Sequence, residues 1–367
     1  MKSTAPTAPL FFAANPGGAA ALAPVWQRFP DSAFFVTDSA RRAISASLTP
    51  TERIALHIVP DTTDSATLNH LLNQHAPDIL VTGTSIPTSP GGQLENDVRR
   101  LARTRGIASI CVIDHWCNYR LRFGHADQLD LATVPDFICV MDARAEQEML
   151  DAGFPADRMV VTGQPAFDEI AHTIAPQLPA MRDRVRADLR VAHHANVCVF
   201  ISEPIRADHG AVRGYDEWTA ASDCARVCSQ LPTSWSFGIK PHPREPKNKF
   251  ASVTQSLTLD TLTPHEVIAL ADVVVGMTSI LLLQAALLDR TALSYQPGVT
   301  PDSPWAQLIQ PLPVLTTPTA LHAALCDPHR HNSSQKFYTE AHATDNVVRV
   351  ILQGPNRTSR SAQSSTE

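Results

Sequence analysis

The sequence predicts an α/β protein built from two doubly wound domains, and three observations lead there. Short β-rich apolar runs alternate with helical stretches along most of the chain. Several of the runs are continuously apolar rather than alternating, as expected of parallel strands covered by helices on both faces. The rhythm stops once, at Thr162-Gly163-Gln164-Pro165, and restarts after a charged helical stretch, Ala180–Leu189. At 367 residues the chain is also about twice the length that one core comfortably supports.

In the first half, strands are expected at Leu10–Ala14, Ala33–Thr37, Arg53–Val59, Asp78–Thr82, Ile107–Ile113, Asp136–Met141 and Met159–Val161. Helical patterns fall between them at Ala19–Arg28, Asp64–Gln74, Leu94–Arg105 and Ala143–Ala152. The second half reads as strands Val197–Ser202, Trp235–Lys240, Val273–Gly276 and Ala292–Tyr295, with helices Glu217–Leu231, Pro264–Leu270 and Ser279–Asp289. This βα alternation predicts a first domain over 1–165, a crossover over 166–190 and a second domain over 191–335. A closing helix over 336–352 is expected at the junction, followed by a disordered polar tail, 353–367.

Thirty Lys and Arg against 36 Asp and Glu give a net charge of −6, with −4 before Pro165 and −2 after it. Neither half carries the positive field of a nucleic-acid binder. Seven cysteines lack the dense spacing of a disulfide framework. Cys111, Cys139 and Cys198 lie in apolar runs, and Cys224 and Cys228 share a helix face without a histidine to complete a zinc set, so all five read as core. A reducing cytoplasm is favoured. The N-terminal apolar run is broken by Asn15-Pro16-Gly17-Gly18, a poor secretory signal. The apolar stretch Val267–Leu288 is interrupted by Asp272 and Gln284 and does not suit a membrane span. The expected location is cytoplasmic, with peripheral attachment at the inner face of the membrane left open.

Three strand ends in the first half gather polar chemistry. The pair Gly17 and Gly18 follows the first strand, where it serves either close backbone approach to a ligand or a tight strand-to-helix turn. It is not the G-x-G-x-x-G of a dinucleotide site. Thr84 and Ser85 end a later strand and Glu95 opens the next helix, a set that suits a polyol. They suit turn residues and a dipole-favoured acid as well. The densest cluster is Asp114-His115-Trp116-Cys117-Asn118-Tyr119-Arg120-Leu121-Arg122. An Asp-His pair can move a proton, Trp116 and Tyr119 offer flat faces for sugar rings, and Arg122 can fix an anion. The structural alternative has Trp116 and Phe123 plugging core gaps and Arg122 bridging to Asp127.

In the second half, Glu203 ends a strand and Gly214-Tyr215-Asp216-Glu217 opens a helix. Lys240-Pro241-His242-Pro243-Arg244 follows another strand, and Lys240–Lys249 is net +3 in an acidic protein. Lys240 and Arg244 there suit a diphosphate clamp, with His242 as donor or proton carrier; the alternative is a solvated basic loop. Gly276, Thr278 and Ser279 precede an apolar helix and form a phosphate cradle, with Gln284 further along that helix.

These residues, in this order, resemble the two-domain glycosyltransferase fold called GT-B, together with the related UDP-N-acetylglucosamine 2-epimerases and CDP-glycerol glycerophosphotransferases. Thr162-Gly163-Gln164-Pro165-Ala166-Phe167-Asp168 looks like the crossover motif, Lys240-Pro241-His242-Pro243 like the donor-phosphate motif, Gly276-Met277-Thr278-Ser279 like the hydroxyl pair before the donor helix, and Asn15-Pro16-Gly17-Gly18 like the first acceptor loop. The likeness spans residues from about 10 to 350. It implies two Rossmann-like domains facing each other across a cleft, with the donor nucleotide on the second, the acceptor on the first, no metal and no cofactor. Relatives commonly have Glu where Gln284 stands, contacting the donor ribose. The acidic residues of the 2-epimerases are not recognisable, which argues against that activity.

The leading expectation is therefore a metal-independent glycosyltransferase of bacterial surface polysaccharide or glycoconjugate assembly. Its partners would be a nucleotide-sugar or CDP-polyol donor and a glycan or lipid-linked acceptor. Asp114 or His115 would take the acceptor proton, with Glu95 as rival. Lys240, His242, Arg244, Thr278 and Ser279 would hold the leaving diphosphate. Transfer of a polyol phosphate from a CDP-activated donor is the same-class alternative, and nucleotide-sugar binding without turnover the alternative from another class.

Overall fold

Parallel pairing organises every strand among the described residues. The structure, a computed structural model, describes residues 8–45, 47–124, 129–192, 194–231, 235–246, 248–254, 257–300, 303–309, 312–328 and 342–354. The chain divides at Glu169–Ile170 into two compact units, and helix 343–353 belongs with the first.

In the first unit the elements run β1 (Pro9–Ala13), α1 (Pro16–Trp26), β2 (Phe34–Val36), α2 (Asp38–Ile44), α3 (Pro50–Ala55), β3 (Leu56–Ile58), α4 (Ser65–His75), β4 (Ile79–Thr82), α5 (Gln93–Thr104), β5 (Ala108–Val112), α6 (Tyr119–Arg122), β6 (Phe137–Val140), α7 (Ala143–Asp151), β7 (Met159–Val161) and α8 (Pro165–Glu169). The seven-stranded sheet has the order β3-β2-β1-β4-β5-β6-β7. Its register places Phe34, Phe11, Val81, Ile110 and Phe137 in one row across the sheet. That row packs under α1 and α2, while Leu10, Phe12, Phe35 and Leu80 face α4 and α5 on the other side. The period of two thus explains why continuous apolar runs were needed.

The second unit carries a π-helical turn over Ile170–Ile174, then α9 (Leu178–Asp188), β8 (Asn196–Ile201), α10 (Ile205–His209), α11 (Glu217–Cys228), β9 (Trp235–Lys240), β10 (Leu257–Thr258), α12 (Pro264–Leu270), β11 (Val273–Gly276), α13 (Ile280–Leu287), β12 (Thr291–Tyr295), α14 (Pro304–Gln307), β13 (Val314–Leu315) and α15 (Pro318–Cys326). Its sheet order is β10-β9-β8-β11-β12-β13. Ile239, Phe200, Val275 and Leu293 form the central row and pack with Cys224 and Val227 of α11. Arg182 of α9 donates to the carbonyls of Ala269, Leu270 and Ala271 and so caps α12, which otherwise ends in orphan acceptors.

Helix starts follow local chemistry. Asn15, Thr37, Asp64, Asp142, Asp216 and Thr317 each accept a backbone N–H of the first turn. Thr49–Glu52 and Thr263–Glu266 close capping boxes. The first box corrects one expectation: Arg53, Ile54 and Ala55 finish α3, and the strand begins only at Leu56. The closing helix, α16 (Ala343–Gln353), starts later than expected and packs against α1 and α8. Residues 336–341 of the expected helix lie outside the described residues, as does the tail from 355; Gln353 is still helical. Val267–Leu288 is split among α12, β11 and α13. Among the described residues no helix is long and apolar enough to cross a membrane. All seven cysteines are free, five of them buried, including the five read as core.

Candidate functional site

Each sheet has a switch point, where the chain leaves one strand to one side and returns on the other; such crevices at the carboxyl ends of strands are where open α/β sheets bind ligands. In the first unit it lies between β1 and β4, in the second between β8 and β11.

The first switch point is drawn tight by glycines. A methyl group on Gly83 would stand 3.0 Å from Gly18 Cα and 2.7 Å from Glu95 Oε1. Glu95 fills the space so left. It is fully buried, accepting the N–H of Ala14 at 2.8 Å and the N–H of Ser85. Burial pushes its carboxyl above the usual range against the opposing charge of Arg99. With both oxygens on backbone donors and no exposed surface, Glu95 staples β1 to β4 and is not reachable as a base. Thr84 and Ser85 are likewise fully buried.

Asp114 follows β5 beside this staple. Its Oδ1 receives Arg122 Nη1 at 2.5 Å, and its Oδ2 would be 1.9 Å from a methyl group on Gly17. Gly17 is therefore required to admit Asp114. Arg122 also donates to Thr84 O at 2.7 Å, Thr84 Oγ at 2.9 Å and Cys117 O at 2.9 Å. It is a buried fastener, not an anion site, and Asp127 lies outside the described residues. Trp116 is buried against Phe167 with its indole N–H on Asp142 at 2.8 Å, and Tyr119 is buried with its hydroxyl on Glu148 at 2.9 Å. Neither ring is free to stack on a sugar. Trp116 and Phe123 are buried, as the structural alternative has them, while Arg122 pairs with Asp114 within its own loop.

What remains for chemistry here is Asp114 with His115 and Cys117. His115 Nδ1 is buried without a hydrogen-bond partner. Burial pushes its ring down, but the neighbouring Cys117 outweighs this and raises it. Burial would raise the Cys117 thiol; the charge of His115, their hydrogen bond and Arg122 bring it down to about 7. Cys117 was not foreseen as reactive, although Cys two residues after His in a polar loop was a readable signal.

At the second switch point Glu203, just past β8, reaches Thr278, just past β11. Thr278 donates its N–H to Glu203 Oε2 at 2.7 Å and its hydroxyl to Oε1 at 2.8 Å. Arg213 Nη1 donates to Thr278 Oγ at 3.0 Å, its Nη2 meets His209 Nε2 at 2.8 Å, and its guanidinium lies 4.6 Å over the Trp305 ring. Burial and the Arg213 charge push His209 down. Ser279 caps α13, accepting from Leu281 N–H at 3.3 Å, and half-buried Gln284 lies in that helix. Gly276 ends β11, with room around it that is ordinary for a side chain.

The basic loop departs from the clamp expected of it. Arg244 is forked onto Asp208 at 2.9 and 2.6 Å. Lys240 donates to three carbonyls, of Leu259, Asp260 and Leu262, at 3.3, 3.1 and 2.6 Å. Lys249 is neutralised by Glu217 and Glu245, and Lys247 lies outside the described residues. The hub is buried Glu245, which also accepts Ser202 Oγ and the His242 N–H. It folds the loop back onto β8. Burial and Arg244 push His242 down, and its Nδ1 accepts the Arg244 N–H at 3.2 Å, so the neutral ring carries its proton on Nε2. The +3 of the sequence is thus largely cancelled by partners remote in the chain.

Arg213 was missed; no local pattern connects it to Thr278, 65 positions on. Among the described residues no group of three or more His, Cys, Asp or Glu could hold a metal ion. A small cavity under α16, lined by Phe137, Thr162, Asn346 and Arg349 among others, contains none of the expected site residues.

No protein-family model matches the chain, and no curated protein matches it by sequence. Solved structures do match in fold. The UDP-GlcNAc 2-epimerase of Neisseria meningitidis bound to UDP-GlcNAc is 13% identical, with a TM-score of 0.70 over 94% of this chain and 99% of its own. The UDP-GlcNAc 2-epimerase of Methanocaldococcus jannaschii is 10% identical, with a TM-score of 0.64 over 94% and 99%. The wall teichoic acid polymerase TagF, H444N variant, is 10% identical, with a TM-score of 0.59 over 95% and 89%. Two parallel sheets flanked by helices and these likenesses show the GT-B fold.

Proposed function

We propose that the protein is an enzyme that transfers a sugar from a nucleotide-activated donor to a hydroxyl acceptor, in bacterial surface polysaccharide or glycoconjugate assembly, at the cytoplasmic side of the membrane. One observation carries this reading: the switch point of the second unit joins Glu203, Thr278 and a buried Arg213 at the N-terminus of α13, the place where this fold presents donors to an activated diphosphate. The neighbouring folds include one bound to UDP-GlcNAc and TagF soaked with CDPG, which supports a nucleotide-activated ligand.

In this mechanism the second unit holds the donor. The carbon–oxygen bond to the diphosphate breaks, and the leaving group keeps the electron pair. His242 supplies an Nε2–H and the N-terminus of α13 its partial positive charge, so this reading calls for neither metal nor cofactor. In the first unit Asp114, held by Arg122, takes the proton of the attacking hydroxyl, with His115 beside it as the second candidate.

A second reading is epimerisation of the donor sugar itself, favoured by the full-length match to the Neisseria epimerase. Incubating the protein with UDP-, GDP- and CMP-sugars and CDP-polyols, with and without glycan acceptors, separates the readings. Acceptor-dependent release of the nucleotide supports sugar or polyol-phosphate transfer. An acceptor-independent change of the sugar supports epimerisation, and binding without any product leaves a nucleotide-sugar-binding protein.

A further inference from the structure

Arg213 is a buried cation with no counter-ion. It is 8% exposed, and among the described residues no carboxylate lies within ion-pair distance of it. Its partners are all uncharged: the Thr278 hydroxyl, the His209 ring, the Tyr215 hydroxyl and the Trp305 face. Its Nε is buried with no acceptor. A buried guanidinium with an orphaned N–H is costly to maintain, and such groups call for a ligand that completes them.

Its neighbours show why Arg213, and not the basic loop, is the open one. Arg244 and Lys249 already hold carboxylates, and Lys240 has spent its donors on three carbonyls. Thr278 cannot serve as a phosphate donor, because both its N–H and its hydroxyl proton go to Glu203. That same bond turns the Thr278 lone pair toward Arg213 and fixes one edge of the fork. Trp305 supports the plane of the fork, and His209 holds its other nitrogen.

We propose that Arg213 is the anion receptor of the second unit: that its guanidinium takes the diphosphate of the activated donor, and that Lys240, Arg244 and Lys249 shape the site without supplying its charge. The proposal rests on the donor reading above and moves the diphosphate from the sequence-expected Lys240 and Arg244 to a residue eight positions beyond Ile205. The phosphate oxygen supplies the acceptor that Nε lacks, and the ion pair forms without breaking an existing one.

The test is calorimetric titration of the full chain with inorganic pyrophosphate and with UDP and CDP, comparing wild type with Arg213→Gln, Arg213→Lys and Arg244→Gln. Arg213→Gln is expected to weaken pyrophosphate and nucleoside diphosphate binding by about tenfold or more. Arg213→Lys keeps the charge but not the fork and should fall between, and Arg244→Gln should stay within about threefold of wild type. Melting temperatures read alongside separate folding from binding: a merely structural Arg213 would lower the melting point and leave affinity intact. Unchanged pyrophosphate affinity in a folded Arg213→Gln or Arg213→Lys protein overturns the proposal, as does a larger loss in Arg244→Gln. If wild type binds nucleoside diphosphates and the Arg213 variants bind them equally, only this assignment fails. If wild type binds neither pyrophosphate nor any nucleotide, the donor reading fails with it.

Discussion

Replacing Asp114 by Asn probes the acceptor side with little change of shape. The ion pair it disturbs is nearly dry, with side-chain exposures of 5% for Arg122 and 12% for Asp114 at 2.5 Å. Deleting one partner of such a pair costs about 3–5 kcal/mol. Asn still offers an amide oxygen to Arg122, whose three other bonds to Thr84 and Cys117 are untouched. What is lost is the charge assistance, about 1–2 kcal/mol, since charged hydrogen bonds are roughly twice as strong as neutral ones. At ~2–4 °C per kcal/mol for a unit of this size, the melting temperature should drop by roughly 2–8 °C. Turnover should fall by ~100-fold or more if Asp114 accepts the proton, with nucleoside diphosphate affinity nearly unchanged. Differential scanning calorimetry, steady-state transfer and calorimetric titration give the three numbers. An Asp114→Asn protein that melts a few degrees lower but turns over within about threefold of wild type refutes the assignment. Gly17→Ala is the companion: its methyl group would stand 1.9 Å from Asp114 Oδ2 and displace the carboxylate, so it should depress turnover without removing a charged group.

Four further outcomes are expected. Glu95→Ala strands the buried N–H groups of Ala14 and Ser85, at about 1–3 kcal/mol each, and should lower the urea midpoint accordingly. Because burial raises the Glu95 carboxyl, the native state keeps a proton that the unfolded chain releases. Its contribution is therefore full below the unfolded carboxyl range and fades as pH rises through the folded value, so the stability gap between wild type and Glu95→Gln should narrow from pH 4.5 to pH 7. A gap that widens with pH would contradict the buried-acid description. Cys117 should react with iodoacetamide with a midpoint near its thiol value of about 7, read by mass spectrometry, and His115→Ala should move that midpoint up. Labelling of Cys111 or Cys139 at the same rate would show that the loop opens freely. Transfer activity should persist in EDTA, and loss restored by manganese would require a metal that the proposed mechanism omits.

The sequence by itself determined the alternation of strands and helices and their doubly wound class, while the order of strands within each sheet came with the structure. Continuous apolar runs such as Leu10–Ala14 and Val273–Gly276 carry both faces of a parallel strand, so strand identity, α/β alternation and the break near Pro165 are local properties. The Thr49–Glu52 box was equally local, yet apolar Ile54 and Ala55 disguised the end of α3 as strand. The carboxyl ends of strands were legible as the places where polar chemistry gathers, and Glu203, Thr278 and Asp114 do stand there.

Only the tertiary structure decided which of those groups are spent. Composition reads Arg244, Lys249 and Arg122 as charge on offer, but the carboxylates that neutralise them come from Asp208, Glu217 and Asp114, and the first two lie more than thirty positions away. Trp116 and Tyr119 were sugar platforms until Asp142 and Glu148 reached them from α7 and its cap. Arg213 had no local mark at all, and became distinctive only because strands β8 and β11, adjacent in space, set it against Thr278 without a counter-ion. Burial and ion pairing depend on neighbours brought by folding, and a pattern along the chain encodes the strand but not the partner that consumes its charge.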